Sequence, residues 1–167
     1  MELKNKIAVF GLGYIGLPFV AALANVGYRV IGVDVDSSRL SMLQAGAVPF
    51  YEPGLKETLE KNNSRISYTA DVEHAMQNSD VVLITVGTPI KDNNEPDYSQ
   101  IDSCIDSIGK HVRKGQLIIL KSTVFVGTTE NHVAPKLESF SGLRAGEDFF
   151  LAFCPERTIE GLALHEI

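Results

Sequence analysis

Three glycines, Gly11, Gly13 and Gly16, follow the apolar run Ile7–Phe10 with a spacing that suits a phosphate cradle. Gly11 and Gly13 stand where a strand must turn sharply and let its backbone approach an anion, and a Cβ at Gly13 would fill the anion's space. Gly16 falls one helical turn later, where a missing side chain lets helix and strand pack closely. A helix starting near Tyr14 would aim its free N–H groups and positive dipole end at that anion. Eighteen residues past Gly16, the run Val30–Val33 ends in Asp34, an acid placed to accept hydrogen bonds from both hydroxyls of a ribose. Cradle and acid together are the chemistry of a dinucleotide site. The charge of Asp34 would repel a 2′-phosphate, which favours NAD over NADP. The alternative for Asp34 is a solvated loop acid or helix cap, with Asp36 and Ser37 as plausible N-caps of the next helix. Arg39 has three readings: a partner for a 2′-phosphate, a stack on the adenine face, or a solvated cation.

The elements that must position these groups alternate along the chain. The first strand leads into a helix over Leu17–Val26 that Gly27 stops, and the strand Arg29–Val33 closes a βαβ unit. Helices are expected near Ser38–Ala45, Leu55–Asn62, Val72–Gln77, Ser99–Val112 and Gly127–Glu138, the last bent or ended by Pro135. Strands are expected at Arg65–Thr69, Asp80–Val86, Gln116–Lys121 and Phe149–Phe153, with a polar loop over Gly87–Asp97. Strands apolar on both faces, alternating with helices, specify an α/β fold: a Rossmann-type, doubly wound, mainly parallel sheet of about six strands with helices on both faces. Ligands of such sheets bind outside the carboxyl ends of the strands. That rule singles out Gly11–Gly16, Asp34, Gly87-Thr88-Pro89, Ser122-Thr123 and Cys154-Pro155-Glu156-Arg157, each directly after an apolar strand.

Composition narrows the class. With 167 residues the chain has the size of one domain, and 44% hydrophobic residues with a mean hydropathy of +0.05 describe an ordinary globular protein. A net charge of −6 argues against non-specific binding to nucleic acid or to an anionic membrane. No uninterrupted apolar stretch approaches the roughly 18 residues of a membrane span. Met1–Lys6 leads straight into a core strand and leaves no room for a cleavable signal. Cys104 and Cys154 have neither metal-ligand spacing nor a disulfide framework. The simplest expectation is a cytoplasmic protein with reduced thiols and no metal.

Several segments together resemble the UDP-glucose/GDP-mannose dehydrogenase family, the nucleotide-sugar 6-dehydrogenases. They are Gly11-Leu12-Gly13-Tyr14-Ile15-Gly16-Leu17-Pro18, Gly32-Val33-Asp34-Val35-Asp36, Glu52-Pro53-Gly54-Leu55, Val86-Gly87-Thr88-Pro89, Lys121-Ser122-Thr123-Val124 with Gly127-Thr128, and Cys154-Pro155-Glu156-Arg157. They span nearly the whole chain in the family's order, and the last looks most like the branch acting on UDP-N-acetylhexosamines. The resemblance implies oxidation of a sugar C6 alcohol to a carboxylate with two NAD⁺ in turn, through a thiohemiacetal and a thioester on a catalytic cysteine.

Carried over by motif, Tyr14 and Ile15 meet the pyrophosphate region, Asp34 and Arg39 the adenosine end, and Thr88 and Thr123 the nicotinamide side. The resemblance further implies that Thr123 positions a water near the reacting carbon and that Glu156 assists thioester hydrolysis. It places Arg157 and Thr158 against the substrate. On residue type alone Thr88 is a turn former, Thr123 a helix cap, and Glu156 a solvated acid paired with Arg157.

The family's catalytic cysteine motif, its oxyanion lysine and asparagine, and its sugar-nucleotide domain have no counterpart in this sequence. Residues 1–160 are therefore expected to be an N-terminal NAD domain and 161–167 the start of a segment leading to further domains and a homodimer. Such a piece would bind NAD without turnover. The competing readings are a free-standing NAD-binding or redox-sensing module, and the cofactor domain of a hydroxyacid or 6-phosphogluconate-type dehydrogenase. Lys121–Val124 and Cys154–Arg157 argue against the latter.

Overall fold

The computed structural model describes residues 6–92, 95–158 and 161–167. Met1–Asn5 of the expected Met1–Lys6 lead, residues 93–94 of the 87–97 loop and the expected domain end at residue 160 fall outside that set.

Six strands alternate with helices: β1 (Lys6–Phe10), α1 (Gly16–Asn25), β2 (Arg29–Val33), α2 (Ser37–Gln44), α3 (Leu55–Lys61), β3 (Ile66–Thr69), α4 (Val72–Gln77), β4 (Val81–Ile84), α5 (Ser99–Ile108), β5 (Leu117–Leu120), α6 (Ala134–Ser141), β6 (Phe150–Phe153) and α7 (Ala163–Glu166). All strand pairs are parallel, in the order β3-β2-β1-β4-β5-β6. This is the doubly wound order. The chain steps outward from β1 to β3, then returns to the far side of β1 with β4. A crevice must open between the loops that leave β1 and β4 in opposite directions.

The period-2 pattern of the strands feeds one core on each face. In β1, Ala8 and Phe10 pack on the α4–α5–α6 side with Val82 and Ile84. Ile7 and Val9 pack on the α1–α2–α3 side with Leu17, Val20 and Leu83. The edge strands β3 and β6 are less covered, and Phe150 and Phe153 remain exposed.

Most boundaries shift by a residue or two, as where the strand expected at Asp80–Val86 covers Val81–Ile84, and two helices differ more, for local reasons. The helix expected at Ser99–Val112 stops at Ile108 and tightens into a 3₁₀ turn, Gly109–His111, with Phe140 packed so close to Gly109 that a Cβ there would lie 2.7 Å from it. The helix expected at Gly127–Glu138 opens as a π turn, Thr129–Val133, and continues as α6 to Ser141. Pro135 stands in the first turn of α6, where its missing N–H costs little, so it follows a widened turn instead of ending the helix.

Candidate functional site: a dinucleotide cleft at the strand switch point

The turn after β1 is built by its glycines. Gly11 holds φ at +94°, and a Cβ there would press on the Thr85–Val86 backbone at 3.1–3.2 Å. At Gly16 a Cβ would collide with the Gly11 carbonyl oxygen, so α1 can lie this close to the turn only without a side chain. Gly13 is different: a Cβ would meet nothing within 4 Å. Its freedom is not used for packing, and it borders open space, as a phosphate cradle requires.

The start of α1 is prepared for an anion. Its N-cap, Ile15, supplies no capping side chain, and no acid lies in its first turn. By contrast, Asp36 caps α2 through the N–H groups of Ser38 and Arg39, and Asp71 caps α4 through His74. Among the described residues the N–H groups of Gly13, Tyr14 and Ile15 donate to no backbone carbonyl. Unsatisfied donors and a helix dipole at one spot are a seat for pyrophosphate. The exposed Tyr14 ring packs against Phe50 at 4.3 Å between centroids, at the rim of this turn.

Asp34, at the end of β2, is buried. Its Oδ2 accepts the Leu12 N–H at 2.7 Å and Arg39 Nη1 at 2.8 Å, while Oδ1 accepts the Asp36 N–H at 2.9 Å. Burial works to raise its pKa, but the Asp36 and Leu12 amides and the Arg39 guanidinium outweigh that and hold the carboxyl below its ordinary range. Asp34 is thus an ionised acceptor tied to the glycine turn through Leu12. A carboxylate has about four acceptor positions, and three are taken here, both of those on Oδ2 among them.

These groups line one cleft of ≈ 520 Å³, with Gly11, Gly13, Asp34 and Arg39 on one side. Thr85, Val86 and Gly87 from the end of β4 form its floor, and Gln100, Ser103 and Cys104 of α5 its far wall. Motif reading marked Val86 and Gly87 but did not find Thr85 or the α5 residues. Thr85 Oγ1 lies 2.7 Å from the Gly11 carbonyl and 2.9 Å from that of Phe10, and Gln100 Oε1 accepts the Gly87 N–H at 3.0 Å. Only the stripe Gln100, Ser103 and Ser107, uncharged polar residues along one line of an amphipathic helix, hinted at the α5 wall. Cys104 faces this wall as a neutral thiol, its pKa pushed up to about 12 by burial.

Thr88, Thr123, Glu156, Arg157 and Thr158 do not line this cleft; they follow the ends of β4, β5 and β6. Thr88 and Thr123 are brought together, Thr88 Oγ1 donating to the Thr123 carbonyl at 2.7 Å. Ser122 Oγ reaches the Val86 carbonyl at 2.6 Å, so the loops after β4 and β5 are fastened to each other. Glu156 Oε1 accepts the N–H groups of Arg157 (2.7 Å) and Thr158 (2.8 Å). Its charge partner is Lys121, with Nζ 3.1 Å from Oε2, and not the Arg157 side chain that sequence proximity suggested. Burial tends to raise the Glu156 pKa; the Thr158 amide, Lys121 and the Arg157 amide together bring it below the ordinary value. Arg157 is exposed, and Thr158 Oγ1 is buried with no hydrogen-bond partner among the described residues.

Glu52, in the Glu52–Leu55 segment, is buried and accepts the Gly161 N–H at 2.7 Å, which fixes the last described segment over α1. Among the described residues no group of three or more His, Cys, Asp or Glu could hold a metal, and no helix is long and apolar enough to cross a membrane.

A parallel sheet in this order, an uncapped helix at a glycine turn and an ionised acid one strand away define a dinucleotide-binding domain. Residues 5–167 match the model of the UDP-glucose/GDP-mannose dehydrogenase family, NAD binding domain. The chain belongs to this family, and NAD is the cofactor that its cleft is built for. It is 39% identical over 166 residues to GDP-mannose 6-dehydrogenase of Pseudomonas putida, covering 96% of this chain and 38% of that protein. It is 38% identical over 162 residues to UDP-N-acetyl-D-glucosamine 6-dehydrogenase of Pseudomonas aeruginosa, covering 97% and 37%. The crystal structure of a ternary complex of GDP-mannose dehydrogenase from Pseudomonas aeruginosa superposes with a TM-score of 0.92 at 38% identity, over 96% of this chain and 38% of that one. The chain therefore spans well under half the length of these relatives, which include both a GDP-sugar and a UDP-N-acetylhexosamine enzyme.

Proposed function

We propose that this chain is the cofactor domain of a nucleotide-sugar 6-dehydrogenase, with residues 1–160 as the domain proper and 161–167 as the start of its connection to the rest of the enzyme. The complete enzyme oxidises the C6 alcohol of a UDP-(N-acetyl)hexosamine to the uronic acid, using two NAD⁺, for a surface-polysaccharide precursor. It works in the cytoplasm as a homodimer assembled through its central region. The catalytic cysteine belongs to that remainder, so this domain binds NAD without turning over. The single observation that carries this reading is the cleft itself: free N–H groups and open space at Gly13, and Asp34 ionised and oriented by Leu12.

The residues divide by position. The Gly11–Gly16 turn with Tyr14 and Ile15 receives the pyrophosphate, and Asp34 accepts the ribose hydroxyls, with Arg39 at the adenosine end. NAD held there would supply the hydride acceptor for the sugar C6. Thr88 and Thr123 border that face, and Thr123 holds a water near the reacting carbon. Glu156 orients the water that releases the acid. Its lowered pKa fits an ionised acceptor that aims a water better than it stores a proton. Arg157 and Thr158 contact the sugar nucleotide.

Calorimetric titration of the chain with NAD⁺ and NADP⁺ tests the reading. Saturable NAD⁺ binding with NADP⁺ at least about tenfold weaker is the expected result, from the repulsion between Asp34 and a 2′-phosphate. Equal affinity for both, or binding of neither, would contradict it.

A further inference from the structure

Lys121 is the most enclosed cation among the ion pairs of the described residues, with 9% of its side chain exposed. It sits at the end of β5, where the sheet edge that collects the site begins. Its Nζ lies 3.1 Å from Glu156 Oε2, 3.7 Å from Cys154 Sγ and 4.6 Å from the centre of the Phe19 ring on α1. Its backbone carbonyl accepts the Glu156 N–H at 3.2 Å, so both ends of the residue engage the 154–158 segment. One buried ammonium, two residues before Thr123, therefore meets both the loop that carries Glu156 and a ring of α1.

The two oxygens of Glu156 are used differently. Oε1 is occupied by two backbone N–H groups. Oε2 is buried and stands at ion-pair distance from Lys121, and among the described residues no further donor reaches it, so one acceptor position faces the ammonium and the other is unfilled. A carboxylate held by one oxygen and electrostatically fixed at the other presents a defined acceptor direction. A free Glu after proline would rotate about three side-chain bonds and present none.

We propose that Lys121 is a positioning residue for Glu156, fixing its Oε2 as the oxygen that accepts a water and tying that oxygen to the cofactor helix through Phe19. Among the described residues, the charged group set against the Glu156 carboxylate is Lys121, just after β5, and Arg157 contributes only its amide. Lys121 Nζ in turn meets Cys154 Sγ and the Phe19 ring of α1. Among the described residues Lys121 thus supplies the formal charge that favours the carboxylate form and its orientation. The catalytic meaning of this arrangement rests on the reading of Glu156 given above, whereas the arrangement itself does not.

Carbon-detected NMR titration of the Glu156 carboxyl in the chain, with Lys121→Met and Lys121→Arg beside the parent, tests the proposal. Lys121→Met is expected to raise the Glu156 midpoint by about one pH unit, and to weaken the pH response of the Arg157 and Thr158 amide signals. Lys121→Arg is expected to restore most of both. An unchanged midpoint in Lys121→Met would overturn the assignment. The parent chain gives a second reading that needs no variant: the Lys121 ammonium signal must shift at the pH where Glu156 titrates, and an ammonium indifferent to that titration would overturn it as well. Neither measurement involves NAD, so a failed cofactor titration and a failed Lys121 assignment are separate results.

Discussion

At Gly13 binding is separable from stability, whereas at Asp34 the two are joined. A side chain at Gly13 meets no protein atom within 4 Å, so Gly13→Val is expected to leave the thermal midpoint within about 2 °C of the parent. In calorimetry the same variant should lose NAD binding, because the valine occupies the phosphate space. Retained affinity would move the cradle elsewhere. Asp34→Ala combines both effects. It removes the ribose acceptor, and it strands the Leu12 and Asp36 N–H groups, at a cost of about 1–3 kcal/mol for the buried donor. Weaker NAD binding, relaxed discrimination against NADP and a lower urea midpoint are expected together. Loss of stability with unchanged cofactor preference would make Asp34 a purely structural residue. The Lys121–Glu156 pair belongs to this scale too, since its effect is the aim of one oxygen.

Among the elements, α1 is the one whose placement matters most, and Gly16 sets it. A methyl group at Gly16 would run into the Gly11 carbonyl and Thr85 Oγ1 (2.5 Å), forcing α1 away from β1 and opening the turn. Gly16→Ala is therefore expected to cost about 1–3 kcal/mol in chemical denaturation and to weaken NAD through the displaced N-terminus. An unchanged denaturation midpoint would show that the helix can shift without loss. On the opposite face α5 forms the cleft wall, and its outer side is held to α6 by Asp102, whose Oδ1 receives His132 Nε2 and Lys136 Nζ, each at 2.7 Å. Tyr98 stacks on His132 at 4.7 Å and reaches Thr128 Oγ1 at 3.0 Å. The π turn gives His132 its place in this clamp, so the wall of the adenosine end is braced by the helix that follows Thr123.

For the whole molecule, the charge arrangement sets a direction for acid stability. Burial opposes ionisation at Asp34, Asp102 and Glu156, yet backbone amides and cations more than offset it, and all three carboxyls lie below their ordinary values in the fold. The native state then binds fewer protons than the unfolded chain. Its stability from these groups is complete above the unfolded carboxylate range near pH 4, and it is lost as pH falls through the lower folded values. The thermal midpoint should stay level from about pH 7 to 5 and drop below about 4, with a shallower drop in Asp102→Asn. A midpoint independent of pH down to about 2.5 would contradict these ion pairs.

The sequence by itself determined the α/β class, the parallel sheet and the first half of the site. Glycine spacing, strand-end position and period-2 apolarity are local constraints, and Gly11, Gly13, Gly16 and Asp34 lie within one βαβ unit whose geometry follows from short-range backbone rules. Tertiary structure decided what crosses between units. It chose Lys121, 35 residues before Glu156 in the chain, as the carboxylate's partner over adjacent Arg157, because β5 and β6 are neighbours and their ends converge. It brought Gln100 and Ser103 to the cleft, since the strand order places β4 beside β1 and swings α5 across the gap. It also paired Glu52 with Gly161, 109 residues apart. Such contacts depend on which strands lie side by side, and no local spacing encodes that order.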